Sequence, residues 1–118
     1  MNARILIIGD DPVLLRTRAE MLRDWQITAV SSREAAQALL TRNYDLLIFS
    51  QTVREPLARR LIAQARDLDP NTRVLAIYTE EDRKLGSSAY EVDLHNPGGL
   101  RLAVERMLAW RSDARKPT

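Results

Sequence analysis

Apolar residues along this chain fall into two alternating rhythms. Short unbroken aliphatic runs of strand length are separated by longer stretches in which apolar residues recur every three or four positions. Ile5-Leu6-Ile7-Ile8 is such a run, and its lack of polar alternation predicts a strand buried on both faces, as in a parallel sheet. Asp11-Pro12 follows, an N-cap residue and a proline suited to the first helical position. The spacing predicts a helix from there to about Asp24, burying Leu14, Met21 and Leu22. Gln26–Val30 reads as a second strand, and Ser31-x-x-Glu34 as a capping box for a helix over roughly 32–42. Tyr44–Phe49 is the third predicted strand. Pro56–Leu68 is the third helix, with Leu57, Leu61, Ile62 and Ala65 on one face and Pro70 beyond its end. Val74–Tyr78 and Tyr90–Val92 complete the strands. Asn96-Pro97 opens a last helix to about 111 that buries Leu100, Val104, Met107 and Leu108. Residues 112–118 read as a polar tail, so that one domain spans 1–111.

Strands alternating with helices predict right-handed βαβ crossovers and a doubly wound, five-stranded parallel sheet covered on both faces. Ligands in such sheets bind beyond the carboxyl ends of the strands, near the point where strand order reverses. The residues to weigh are therefore Gly9-Asp10-Asp11, Ser50-Gln51-Thr52, Thr79-Glu80 and Asp93.

Composition narrows the function classes. The 118 residues suit one domain, and 45% of them are hydrophobic, enough for a core without staples. Cysteine is absent, which excludes disulfides, thiolate metal sites and a cysteine nucleophile. The formal charge is +2, from 18 basic and 16 acidic residues spread along the helices, which is no nucleic-acid footprint. No long apolar segment or leader pattern is visible, so a cytoplasmic protein without membrane contact is expected. Neither GxGxxG nor GxxxxGK[ST] occurs, which argues against dinucleotide and P-loop enzymes.

Four segments, ILIIGDDPVLL at 5–15, SSREAAQALLTRNYDLLIFS at 31–50, RVLAIYTEED at 73–82 and VDLHNPGGLRLAVERML at 92–108, together resemble a response-regulator receiver domain of the CheY-like type. The resemblance implies a flavodoxin-like three-layer sandwich and a signalling switch rather than an enzyme. In that switch a sensor kinase's phosphoryl group passes to an aspartate ending the third strand. Two acids after the first strand help to hold Mg²⁺, a Thr or Ser after the fourth strand follows the phosphoryl group, and a lysine after the fifth pairs with it. The transition state is rich in negative charge, so cations must neutralise its oxygens. Mg²⁺ in turn wants about six oxygens in octahedral array.

Carried over residue by residue, most of these parts are altered. The acid pair is Gly9 and Asp10, and Asp11 is assigned to capping the first helix. The acceptor position is Ser50. Thr79 retains the hydroxyl, Asp93 stands at the lysine position, and Tyr90 occupies the place of the switch aromatic. Ser50 is a weak nucleophile without an adjacent base, and the sole histidine, His95, is not placed beside it by any sequence feature. Nine residues, Glu80 to Ser88, lie between Thr79 and Ala89, fewer than the dozen or so a parallel crossover needs. The fourth helix is therefore expected to be shortened or missing. The reading is a degenerate pseudo-receiver in two-component signalling. It would work through a protein partner (a sensor kinase, another regulator or an output protein) or as a homodimer, without ordinary phosphorylation. No cofactor is expected beyond weak residual Mg²⁺ binding. The alternative is a ligand- or metal-responsive module using the Asp10/Asp93 cleft. Arg54, Arg59 and Arg60 read as a solvated helical face, and Trp25 and Trp110 as covers over the core edge.

Overall fold

The computed structural model of the chain describes residues 3–78, 90–93 and 97–114. The strands β1 (Arg4–Ile8), β2 (Gln26–Val30), β3 (Leu46–Phe49), β4 (Arg73–Tyr78) and β5 (Tyr90–Asp93) form one sheet in the order β2-β1-β3-β4-β5. All four pairings are parallel. The helices are α1 (Pro12–Met21), α2 (Ser32–Thr41), α3 (Glu55–Leu68) and α4 (Pro97–Ala114). The proposed shortening of a helix between β4 and β5 falls on residues 80–88, outside the described residues.

Period-two alternation in the three central strands divides the core in two. Leu6, Ile8, Leu47, Phe49, Val74 and Ala76 face α2 and α3, where Ala35, Leu39, Ala58, Leu61, Ile62 and Ala65 close over them. Ile5, Ile7, Leu46, Ile48, Leu75 and Ile77 face the other way, against Leu22, Trp25 and the Leu100, Ala103, Val104, Met107 face of α4. Burial on both sides explains why β1 and β3 are unbroken aliphatic runs.

Helix boundaries shift in two places. α1 ends at Met21 rather than near Asp24, because the chain turns there to seat Trp25, 6% exposed, in the core and to start β2. Of the residues expected to be buried, Leu22 is fully buried and Met21 packs against the core, whereas Leu14 is only half-buried; Leu15, Ala19 and the buried Arg18 complete the inward side. α4 continues through 112–114, residues expected to belong to the polar tail.

Candidate functional site at the strand ends

Strand order reverses between β1 and β3, so the crevice expected to hold a ligand opens beside Gly9 and Ser50. The two residues are in direct contact. A Cβ built on Gly9 would lie 2.9 Å from Ser50 Cβ and 3.4 Å from Ser50 Oγ. Glycine is required here by close approach: β1 and β3 are hydrogen-bonded up to this point, with Ser50 N–H donating to Ile8 O at 2.9 Å. No side chain at position 9 can reach into the crevice without displacing Ser50.

Ser50 is 5% exposed, and the group that covers it is Arg18, itself 6% exposed. Arg18 Nη1 donates to Ser50 Oγ at 3.0 Å, and Arg18 Nη2 donates to Gln51 Oε1 at 3.2 Å. The Ser50 hydroxyl donates to Gln51 Oε1 at 3.0 Å and accepts from Thr52 Oγ1 at 3.2 Å, with Thr52 N–H a longer contact at 3.4 Å. A hydroxyl has one proton and two lone pairs, and all are engaged. Its proton rests on an amide oxygen, which is no general base, so nothing here prepares Ser50 to attack an electrophile.

The network continues into the first loop. Asp10 N–H donates to Thr52 Oγ1 at 2.9 Å. Asp10 Oδ1 accepts from Ser32 N–H at 2.9 Å, at the first residue of α2. That amide is one of the donors a helix start leaves without an intrahelical partner, and a carboxylate there also meets the positive end of the helix dipole. Asp11 does the same for α1, accepting from Val13 N–H at 3.0 Å and Leu14 N–H at 3.3 Å. The sequence-expected cap is thus present, and both adjacent acids of the first loop are committed to helix starts, Asp11 to α1 and Asp10 to α2. Burial lowers the Arg18 guanidinium pKa from its ordinary value, and the charge of Asp11 opposes that fall. An arginine keeps its proton in such surroundings.

The crevice therefore brings together Gly9, Asp10 and Ser50 as expected, and adds Arg18, Gln51 and Thr52. Thr79 and His95 lie outside the described residues, as do the side chains of Tyr90 and Asp93. Asp93 ends β5 in register with Tyr78, so β3 and β4 stand between it and β1. Three strand spacings make about 14 Å of backbone separation. Arg54, just before α3, and Arg59 and Arg60 on it are exposed, and Arg59 pairs with Glu55 at 3.3 Å, consistent with a solvated face. The signal for Arg18 was present in the sequence: it stands three residues after Leu15 and four before Leu22, at a core position of its helix.

Proteins of this shape are known. No family model matches the chain. A response regulator receiver protein from Sinorhizobium medicae superposes with a TM-score of 0.73 at 22% identity, over 93% of this chain and 97% of that one. The fold is that of a response-regulator receiver. The receiver fold recurs in the response regulator TrrA of Thermotoga maritima, solved in complex with Mg²⁺-BeF, at a TM-score of 0.71 and 22% identity over 89% of this chain and 98% of that one. A chain described as an adenylate cyclase from Rhodopirellula baltica matches at 0.82 with 18% identity, covering 97% and 93%. In sequence, the alginate biosynthesis transcriptional regulatory protein AlgB of Pseudomonas aeruginosa is 32% identical over 120 aligned positions, which take in 93% of this chain. The chain spans 27% of that relative's length.

TrrA, which shares the fold, is solved with Mg²⁺-BeF, and the residues described at the ends of β1 and β3 do not fit that ion. Position 9 has no room for a carboxylate, position 50 carries none, and Asp10 has one oxygen on a helix amide. A guanidinium already stands at Ser50. Among the described residues no group of three carboxylate, imidazole or thiol side chains could hold a metal. No described helix is long and apolar enough to cross a membrane.

Proposed function

We propose that this chain is a receiver-type signalling domain that works through protein–protein contacts and is not switched by aspartyl phosphorylation. The observation carrying this reading is the Arg18–Ser50 hydrogen bond at 3.0 Å in the crevice where a receiver would hold its acceptor carboxylate and metal. A phosphoryl group needs an acceptor carboxylate and flanking cations free to follow it. Here the acceptor is a serine whose hydroxyl is fully engaged, and the cation is fixed to it. Signalling then depends on which partner binds and how much of it is present. TrrA, which shares the fold, is solved in complex with the histidine kinase ThkA. A kinase or another regulator is the partner class proposed here, with self-association as a second assembly.

The test is exposure of the ¹⁵N-labelled protein to Mg²⁺ with beryllofluoride, and separately with acetyl phosphate. The expected result is an unchanged amide spectrum around Gly9 and Ser50 and no mass gain of a phosphoryl group. A Mg²⁺-dependent beryllofluoride complex, or phosphorylation at Ser50, overturns the reading.

A further inference from the structure

Arg18 is a fixed charge in a fold that, in TrrA, is solved in complex with Mg²⁺-BeF. The side chain rises from the second turn of α1, lies 6% exposed, and aims both terminal nitrogens at the β3 end: Nη1 at Ser50 and Nη2 at Gln51. Through Ser50 and Thr52 the same hydrogen bonds reach the Asp10 amide, and through Asp10 the start of α2. Four segments are thereby joined by hydrogen bonds. We propose that Arg18 is a tethered cation poised at the strand ends, making position 50 a metal-independent seat for negative charge.

The chemistry of that seat follows from the guanidinium. Its planar fork presents parallel donors that match a carboxylate or phosphate edge, and it is more weakly hydrated than an ammonium, so burying it costs less. In the present sequence the fork is divided between a hydroxyl and an amide oxygen, both neutral. An anionic side chain at position 50 would meet a cation already desolvated and aimed. A free cation approaching from solvent would instead meet a positive charge beside the acceptor position.

This inference rests on reading the crevice as a receiver acceptor site, and its test is independent of any partner. The full-length chain is compared as wild type, Ser50→Asp, Ser50→Asn, Arg18→Met and the double variant Arg18→Met/Ser50→Asp, by urea unfolding at neutral pH. With Arg18 present, Ser50→Asp is expected to unfold less readily than the isosteric neutral Ser50→Asn. With Arg18 removed, the same aspartate raises the unfolding constant about a hundredfold, the order expected for a buried charge stripped of its partner. The Ser50→Asp against Ser50→Asn comparison stands even where Arg18→Met fails to fold. About 10 mM Mg²⁺, at matched ionic strength against a chelator, should leave the wild-type midpoint unchanged, since only a ligand bound to the folded state raises stability. Ser50→Asp being less stable than Ser50→Asn with Arg18 intact overturns the proposal, and so does Mg²⁺ stabilising the wild type. A beryllofluoride complex that forms while the Asp/Asn order holds would defeat the proposed function and leave this inference standing.

Discussion

A methyl group added at Gly9 would sit 2.9 Å from Ser50 Cβ, a distance real side chains avoid. The contact lies at the hydrogen-bonded ends of two central strands, where the backbone has little freedom to yield. Gly9→Ala should therefore cost about 2 kcal/mol, the usual scale for overpacking a tight site, measured by urea denaturation. The same substitution should cost less in a Ser50→Gly background, because the atom it strikes is gone. Ser50→Ala is harmful for a different reason. It leaves Arg18 Nη1, which is buried, without its oxygen acceptor, and about 1–3 kcal/mol is the expected loss. Restoring a hydroxyl with Ser50→Thr should recover part of that stability.

Helix starts carry the pH and capping behaviour of the molecule. Asp11 accepts two otherwise unpartnered amides of α1, so Asp11→Ala should cost about 1 kcal/mol and speed amide exchange at Val13 and Leu14. At α2, Glu34 Oε1 accepts from Ser31 N–H at 3.1 Å and Ser31 Oγ at 2.9 Å. These bonds, the backbone one foremost, hold the Glu34 carboxyl below its ordinary value of 4.5. A carboxyl depressed in the folded state contributes stability above its unfolded pKa and loses it as the pH falls through the folded one. The Ser31 amide resonance should therefore titrate with Glu34, with a midpoint below 4.5, and Glu34→Gln should abolish that titration. Both caps were legible in the sequence because each is a pattern of adjacent residues, Asp11-Pro12 and Ser31-x-x-Glu34. The strands were legible for a similar reason, since two-sided burial leaves a run of aliphatic letters. Arg18 was legible only through its place between Leu15 and Leu22. Its bond to Ser50, 32 residues away, was not. The Asp10–Ser32 bond spans 22 residues and escaped for the same reason. Glycine at position 9 was visible as a departure from the receiver pattern, but only the β1–β3 register shows that Ser50 is what forbids a larger residue.

Across the whole molecule, the two half-cores are closed by helices that must hold their angles to a shared sheet. On the α1–α4 side one arginine performs much of that fastening. Arg101 Nη2 meets Asp24 Oδ2 at 2.5 Å, Nη1 donates to Met21 O at 3.2 Å, and the guanidinium carbon stands 4.9 Å from the centre of the Trp25 ring. The group is partly exposed, so its ion pair is screened, while the stacking on Trp25 and the bond to the end of α1 are not lost to salt in the same way. Arg101→Ala should lower stability by roughly 1 kcal/mol, with most of the loss persisting in high salt, as read by unfolding at two ionic strengths. On the opposite side Gln64 of α3 donates to Ala36 O of α2 at 3.0 Å, a neutral link between two helices that both pack against the sheet. The strand-end crevice connects the two sides, since Arg18 belongs to α1 and Asp10 serves α2. The contact between Gly9 and Ser50 then imposes an order on change. An acid cannot be introduced at position 9 until position 50 has shrunk or shifted. A carboxylate at position 50 will be captured by Arg18 unless position 18 has already lost its charge. The three positions behave as a combination lock: the same three substitutions made in different orders pass through intermediates of different stability, and an order beginning at position 18 avoids the trapped ion pair but leaves the clash between positions 9 and 50 to be relieved.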